Sequence, residues 1–194
     1  MQPIILASSS PYKKMLLQRL GIEFTCAAPD IDESPLPGET AIAMAQRLAE
    51  EKAQRIAWDY PQAIVIGADQ VEELDGAILG KPGNHQRAVA QLSAQSGRTV
   101  LFHCGISVAQ INQGKLTQQS RVNSAEVCFR TLSAQQIEDY LIADQPYDCA
   151  GSFKAEALGI SLFAAVNSND PSSLVGLPLI DLCSILGEWD IKIP

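Results

Sequence analysis

Residues 100–129 read VLFHCGISVAQINQGKLTQQSRVNSAEVCF, and this stretch decides the fold class. Two β-prone segments, 100–111 and 116–129, flank the turn Asn-Gln-Gly-Lys, which predicts a long β-hairpin. The strands of a hairpin pair antiparallel, so the chain cannot build the purely parallel sheet that its other elements would suggest.

Outside this hairpin, strands and helices alternate along the chain. Apolar runs predict strands at 3–7, 23–28, 63–69 and 160–166. Helical periodicity and capping residues predict helices at 10–20, 39–58, 84–95, 133–143 and 179–186. The acidic, proline-rich segment 29–39 is predicted to be a loop. We therefore predict one α/β domain over residues 1–194, with a mixed central sheet flanked by helices.

Charge and cysteine content narrow the class of protein. The 22 acidic and 14 basic residues give a net charge of −8, which argues against a broad nucleic-acid or membrane-binding face. No apolar run approaches the roughly 18 residues of a membrane span, and the start of the chain lacks the pattern of a signal peptide. The five cysteines are scattered without a C-x-x-C pair, as expected of free thiols in the cytoplasm.

The first helix begins with an unusual charge pattern. Ser10 and Pro11 form a typical helix start, yet Lys13 and Lys14 follow in a first turn that normally favours acidic residues. Free backbone N–H groups at a helix start, with the hydroxyls of Ser8 and Ser10, suit a phosphate anion. Two solvated lysines are the simpler interpretation of the same residues.

Lys52 is predicted to lie in the middle of the apolar face of the helix 39–58. A buried ammonium needs an anionic partner, so the position suggests a binding or catalytic group. The alternative is a lysine whose ammonium reaches solvent at the edge of that face.

In the segment 67–82, an acidic and a basic side chain are also predicted to lie close together. The Asp75-Gly76 dipeptide favours a two-residue hairpin turn, and its register would place Gln70 opposite Lys81. Asp69 would then lie near Lys81, at the carboxyl end of the strand 63–69, where α/β proteins bind ligands. A turn-capping aspartate beside a surface lysine is the alternative.

The loop 29–39 carries three carboxylates at Asp30, Asp32 and Glu33. Oxygen-rich clusters suit Mg²⁺ or Mn²⁺, which keep several waters and use one or two carboxylates. A solvated acidic loop has the same composition.

Several motifs spread along nearly the whole chain resemble the Maf family of nucleotide pyrophosphatases. In chain order they are ILASSSP (5–11), IDES (31–34), AEEKA (49–53), IGADQV (66–71), GKP (80–82), TLSAQQIEDYL (131–141), CAGSFKAE (149–156) and VGLPL (175–179). The resemblance implies an inosine-triphosphatase-like α/β fold with a mixed sheet, often as a homodimer. It also implies hydrolysis of nucleoside triphosphates to the monophosphate and pyrophosphate with a divalent metal, Mg²⁺ or Mn²⁺.

Matched to the family motifs, Asp69 is the catalytic base for the attacking water. Lys52 and Lys81 match the lysines that face the phosphates. Glu33 matches the acid near the metal, and Asp69 would also contact that metal. Attack at the α-phosphate would release pyrophosphate, and activity should fall at acid pH because a protonated carboxyl cannot act as the base.

The resemblance places a phosphate anchor at Ser8, Lys13 and Lys14. The family usually has arginine at the two lysine positions. Lysine binds phosphate as a point charge and lacks the bidentate geometry of arginine, so this anchor departs from the family pattern.

Specificity is implied by Tyr12, Gln70, Lys154 and Glu156, which resemble the 7-methyl-GTP pyrophosphatase subgroup. An aromatic face attracts the cationic methylated guanine, worth about 0.5 to 2 kcal/mol. Glu156 would accept hydrogen bonds from the guanine amino edge, and Gln70 or Lys154 would meet the guanine carbonyl oxygen. The alternatives are a pyrophosphatase for dTTP, UTP or modified pyrimidine nucleotides, and a non-catalytic nucleotide-binding regulator of cell division.

Overall fold

The computed structural model describes residues 2–193. Within that range seven strands and five α-helices follow one another along the chain. They are β1 (Ile4–Leu6), α1 (Pro11–Gln18), β2 (Thr25–Cys26), α2 (Ala41–Asp59), β3 (Ile64–Leu74), β4 (Ala77–Leu79), α3 (His85–Gln95), β5 (Thr99–Asn112), β6 (Lys115–Phe129), α4 (Ala134–Asp144), β7 (Phe163–Ser168) and α5 (Leu179–Glu188). None of the helices in this range has the length and apolar character needed to cross a membrane.

All seven strands form one mixed sheet in the order β2-β1-β3-β5-β6-β7, with β4 also paired to β3. Strand β1 runs parallel to β2 and β3, and the remaining pairs are antiparallel. The hairpin of β5 and β6 is paired from Thr99 opposite Cys128 down to Asn112 opposite Lys115. The predicted mixed-sheet α/β class is confirmed.

The helix starts confirm the capping residues expected from the sequence. Ser10 accepts a hydrogen bond from the backbone N–H of Lys13, and Ser133 forms a reciprocal capping box with Gln136. Each satisfies backbone donors that the first helical turn leaves free.

Three of the predicted strands differ from the structure by two residues or more at one or both ends. The strand predicted at 23–28 shortens to β2, because its neighbour β1 has only three residues to pair with. The strand predicted at 63–69 continues to Leu74, because β4 and β5 pair with its second half. The strand predicted at 160–166 begins only at Phe163, because Leu158–Leu162 is a 3-10 turn in which Ser161 bonds back to the carbonyl of Leu158.

Helix α2 lies unusually close to β3 and β5 at two glycines. A Cβ on Gly67 would lie 2.3 Å from the carbonyl oxygen of Ala49, and a Cβ on Gly105 would lie 2.1 Å from that of Ala45. Any side chain at either glycine would therefore clash with the helix backbone, which cannot rotate away as a side chain could. These two glycines set the distance between α2 and the sheet.

The two faces of the sheet bury separate groups of apolar side chains. On one face α2 contributes its apolar stripe of Ala41, Met44, Ala45, Leu48, Ala49, Ala53 and Ile56. On the other face α1 and α5 contribute Leu16, Leu17, Leu182, Ile185 and Leu186. Each layer buries its apolar face against the sheet, as expected of an α/β domain.

A Gly67→Ala substitution should destabilise the protein by about 2 to 3 kcal/mol, because the added methyl forces α2 away from β3. Gly187→Ala is the matched control, since nothing lies within 4 Å of a Cβ there and alanine favours a helix. Urea unfolding followed by circular dichroism measures both. Equal stability of the two variants would contradict this account of the close approach.

Candidate functional site

The sheet has a gap beside the middle of β3. Strand β1 pairs with β3 only up to Ile66, and β4 pairs with it only from Glu72. In the described part of the chain, residues 67–71 are thus paired on the β5 side alone. Asp69 lies in this gap, just beyond the end of the parallel ladder. The prediction that Asp69 ends its strand is wrong, but its place beside the carboxyl end of β1 keeps it at a ligand-binding edge.

A cleft of about 690 Å³ opens at the gap. It is bounded by the start of α1, the middle of α2, β3, the end of β4 and the segment 148–156. Its polar lining residues are Ser8, Ser9, Ser10, Tyr12, Lys13, Glu33, Lys52, Asp69, Gln70, Lys81, Asp148, Cys149 and Glu156. Most of the predicted site residues therefore meet in one cavity.

Lys52 holds two carboxylates at the bottom of the cleft. Its Nζ lies 2.6 Å from Asp69 Oδ1 and 2.5 Å from Glu33 Oε1. Lys52 is only 7% exposed, and Asp69 is also buried. The prediction that Lys52 lies on a buried face and needs an anionic partner is confirmed, with two partners instead of one.

Burial and charge act in opposite directions on this cluster. Burial favours a lower pKa for Lys52, but the charges and hydrogen bonds of Asp69 and Glu33 outweigh it and raise the pKa above the ordinary lysine value. Burial favours a higher pKa for Glu33, but Lys52, with smaller effects of Lys81 and Lys13, holds that pKa below its ordinary value. The ammonium is therefore charged near neutral pH, and it favours the ionised form of Glu33.

Lys81 lines the cleft without the strand pairing that the sequence suggested. The predicted register is correct for three pairs, from Leu74 opposite Ala77 to Glu72 opposite Leu79. Strand β4 ends there, because Gly80 and Pro82 surround Lys81 and proline cannot donate to a strand ladder. The predicted pairing of Gln70 with Lys81 is wrong, and Lys81 reaches the cleft from an exposed loop.

The start of α1 forms one wall of the cleft. Ser8 accepts a hydrogen bond from the N–H of Ser10, and Ser10 accepts one from the N–H of Lys13. Lys13 turns inward, and its Nζ lies 3.4 Å from where a Cβ on Gly176 would be. Lys14 is exposed and does not line the cleft. The structure thus separates two lysines that the sequence treats as equivalent.

The predicted specificity residues do not all reach the cleft. Tyr12, Gln70 and Glu156 line it, but Lys154 turns away and donates a 2.7 Å hydrogen bond to the carbonyl of Asp144. This acceptor at the end of α4 holds the Lys154 ammonium away from the cleft lining, and the contact of Lys154 with a base stays a prediction.

Gln70 is also held by backbone carbonyls. Its Nε2 donates to the carbonyl oxygens of Ser173 and Leu174, both at 2.9 Å. Both amide hydrogens are used in these bonds, which leaves Oε1 as an acceptor, and the contact of Gln70 with a base stays a prediction.

Acidic groups lie near Tyr12, which also lines the cleft. Burial raises the pKa of the Tyr12 hydroxyl, and the nearby Cys149, Glu156 and Asp148 raise it further. Asp148 was not predicted from the sequence, because it belongs to no motif and reaches the cleft only through the turn that follows α4. In this cleft the groups that act on Tyr12 are thus acidic, whereas those that act on Glu33 are the ammonium groups of Lys52, Lys81 and Lys13.

Glu33 and Asp69 are the residues that fit a divalent metal. In each residue one carboxylate oxygen contacts Lys52, and the second oxygen is left to bind a metal. Among residues 2–193 there is no cluster of three or more His, Cys, Asp or Glu side chains that would hold a metal unaided. Two carboxylates suit Mg²⁺ when phosphate oxygens and waters complete its coordination.

The fold and the cleft define the chain as a mixed-sheet α/β protein in which lysines and carboxylates converge on one cavity. The sequence model described as "Maf-like protein" matches residues 3–189. The chain belongs to the Maf-like family.

Named relatives align with nearly the whole chain. A "7-methyl-GTP pyrophosphatase" of Polaromonas sp. (strain JS666) is 50% identical over 185 residues, covering 95% of this chain and 84% of the relative. A protein of the same name from Xanthomonas axonopodis pv. citri is 49% identical over 194 residues and covers both chains completely. Among solved structures, the Staphylococcus aureus Ham1 protein matches with 17% identity and a TM-score of 0.48, over 67% of this chain and 73% of that one.

The buried contact between Lys52 and Asp69 should show strong thermodynamic coupling. Lys52→Met and Asp69→Asn each remove one partner and should lower the free energy of unfolding. The loss in the double variant should be about 1 to 3 kcal/mol smaller than the sum of the two single losses. Urea unfolding of the two single variants and the double variant measures this coupling.

The pair Arg55 and Asp59 is the control, because their 2.5 Å contact lies on an exposed helix surface. Its coupling should stay near about 0.5 kcal/mol or below. Strict additivity at Lys52 and Asp69 would contradict the central role given to their contact.

Proposed function

We propose that this protein hydrolyses nucleoside triphosphates to the monophosphate and pyrophosphate, with 7-methyl-GTP as its preferred substrate. The observation that carries the proposal is one cleft lined by lysines near Glu33 and by acidic groups near Tyr12. The names of the relatives and the family membership support the same activity.

The cleft has the size and the charge distribution of such a substrate. Its volume of about 690 Å³ lies in the range of sites that enclose small molecules. Lys13, Lys52 and Lys81 line it near Glu33, where they would neutralise a triphosphate. The Tyr12 ring and the nearby carboxylates of Asp148 and Glu156 would attract a base that carries positive charge. Methylation at N7 gives guanine that charge, so 7-methyl-GTP matches both groups of residues.

Asp69 is the base of the proposed reaction. Its carboxylate would take a proton from water while the water oxygen bonds to the α-phosphorus, and the bond between that phosphorus and the bridging oxygen breaks to release pyrophosphate. Lys52 fixes the Asp69 carboxylate through the 2.6 Å contact between its Nζ and Oδ1. Lys13 and Lys81 would neutralise the negative charge that develops on the phosphates.

Glu33 and Asp69 would hold a divalent cation, Mg²⁺ or Mn²⁺, which supplies charge neutralisation at the phosphates when bound. We further propose that the protein acts on free nucleotides in the cytoplasm as a homodimer, as implied by the resemblance.

Pyrophosphate release from 7-methyl-GTP, GTP, dTTP, UTP and CTP tests the proposal. With Mg²⁺ or Mn²⁺, 7-methyl-GTP should give the highest kcat/KM, and Asp69→Asn should lower kcat by about 100-fold or more. Asp139→Asn is the matched control, because Asp139 is exposed on α4 and lies outside the cleft. A preference for dTTP or UTP would refute the specificity, and nucleotide binding without turnover would favour a regulator.

The two lysines of α1 offer a second test. Lys13→Met should lower kcat/KM by about 10-fold or more, because it removes a charge-assisted phosphate contact. Lys14→Met should change kcat/KM by less than about 2-fold, because an exposed charge outside the cleft is screened by solvent. Steady-state kinetics on 7-methyl-GTP compares the variants. Equal losses in both would contradict the inward orientation of Lys13 alone.

A further inference from the structure

Glu72 and Gln95 form a fully buried polar pair beside the turn Ala150–Ser152. Both residues are 0% exposed. Gln95 Nε2 donates to Glu72 Oε1 at 2.8 Å and to the carbonyl oxygen of Gly151 at 3.2 Å. Two buried atoms of this pair, Glu72 Oε2 and Gln95 Oε1, have no hydrogen-bond partner. Such unsatisfied atoms are costly in a protein interior.

We propose that Glu72 is a neutral carboxylic acid that pairs with the Gln95 amide and thereby positions the turn Ala150–Ser152, which carries the base-binding wall of the cleft. A proton on Glu72 Oε2 lets it donate to Gln95 Oε1, so one proton satisfies both unpaired atoms. The assignment of this wall to base binding rests on the proposed function.

The turn Ala150–Ser152 packs directly against the Glu72 carboxyl group. A Cβ on Gly151 would lie 3.0 Å from each carboxyl oxygen of Glu72 and 2.9 Å from Phe153 Cε1, so a side chain there would displace its neighbours. Gly151 also has φ of +75°, in the left-handed region that glycine favours. Cys149 and Ala150 before it and Phe153 after it line the cleft. A shift of the turn would therefore move the wall.

Nothing charged compensates an ionised Glu72 in this part of the structure. The residues opposite Glu72 on β4 and β5 are Leu79 and Phe102, α3 presents Gln95, and the turn presents Gly151. The titratable groups on the same or adjoining segments have other partners or lie in solvent. His85 contacts Glu138 and Tyr147, and His103 contacts Ser124 and Glu73. Cys149 contacts Asp148, and Arg87 is exposed. Burial alone raises the pKa of Glu72 from 4.5 to about 8.

The variant Glu72→Gln mimics the neutral acid at every pH and separates this role from simple packing. Below about pH 7 it should keep the wild-type KM for 7-methyl-GTP, whereas Glu72→Leu, which loses the hydrogen bonds, should raise KM. Between about pH 7 and pH 9 the wild-type KM should rise relative to Glu72→Gln on the order of 5-fold, with the kcat ratio unchanged. Comparing variants at one pH cancels the ionisation of the nucleotide. Parallel pH profiles for wild type and Glu72→Gln would overturn the proposal.

Two measurements without substrate distinguish a failure here from a failure of the proposed function. Between the ordinary carboxyl pKa and about pH 8, the folded state keeps a proton on Glu72 that the unfolded chain has lost. Wild-type stability should therefore fall relative to Glu72→Gln through that window and level off above it. At about pH 9, amide hydrogen exchange across 148–156 should be faster in wild type than in Glu72→Gln. A pH-independent stability difference, or equal exchange, would overturn the proposal whatever the enzyme turns over.

Discussion

The close approach of α2 to the sheet is the constraint on which the rest of the structure depends. Gly67 and Gly105 admit the helix backbone where any side chain would collide with it. Gly105 is also the residue paired with Asp69, so the two glycines bracket the carboxylate. Lys52 on the same helix can then reach Asp69 at 2.6 Å without leaving its buried face. A helix held farther away would break this contact and leave a buried carboxylate without its counter-charge.

The gap in the sheet turns this contact into a site. Because β1 ends at Leu6 and β4 ends at Leu79, opposite Glu72, the edge of β3 near Asp69 is open to a ligand while β5 pairs with the strand on its other edge. The start of α1 delivers Lys13 to the opening, and the segment 148–156 delivers acidic groups to it. Rigid elements thus hold the charged groups that one ligand with two opposite charges would need.

Local sequence signals predicted much of the fold and part of the site. The hairpin at 100–129, the helix caps and the three β3–β4 pairs follow from turn and capping chemistry that acts over a few residues. Lys52 was identifiable because a charge on an apolar helix face conflicts with burial. The orientations of Lys154 and Gln70 depend on carbonyl groups supplied by distant segments, which no local pattern reveals. Glu72 was not identified from the sequence for the same reason, since only the packed structure shows that its carboxyl group is buried away from solvent.

Hydrolysis of 7-methyl-GTP in water enriched in oxygen-18 tests the central claim most directly. The proposed geometry has Asp69 direct water to the α-phosphorus, with the lysines of the cleft holding the departing phosphates. Mass spectrometry of the products should then find the label in 7-methyl-GMP and none in pyrophosphate. Label in pyrophosphate would show attack at the β-phosphorus and would contradict the placement of the substrate against Asp69 and Lys52.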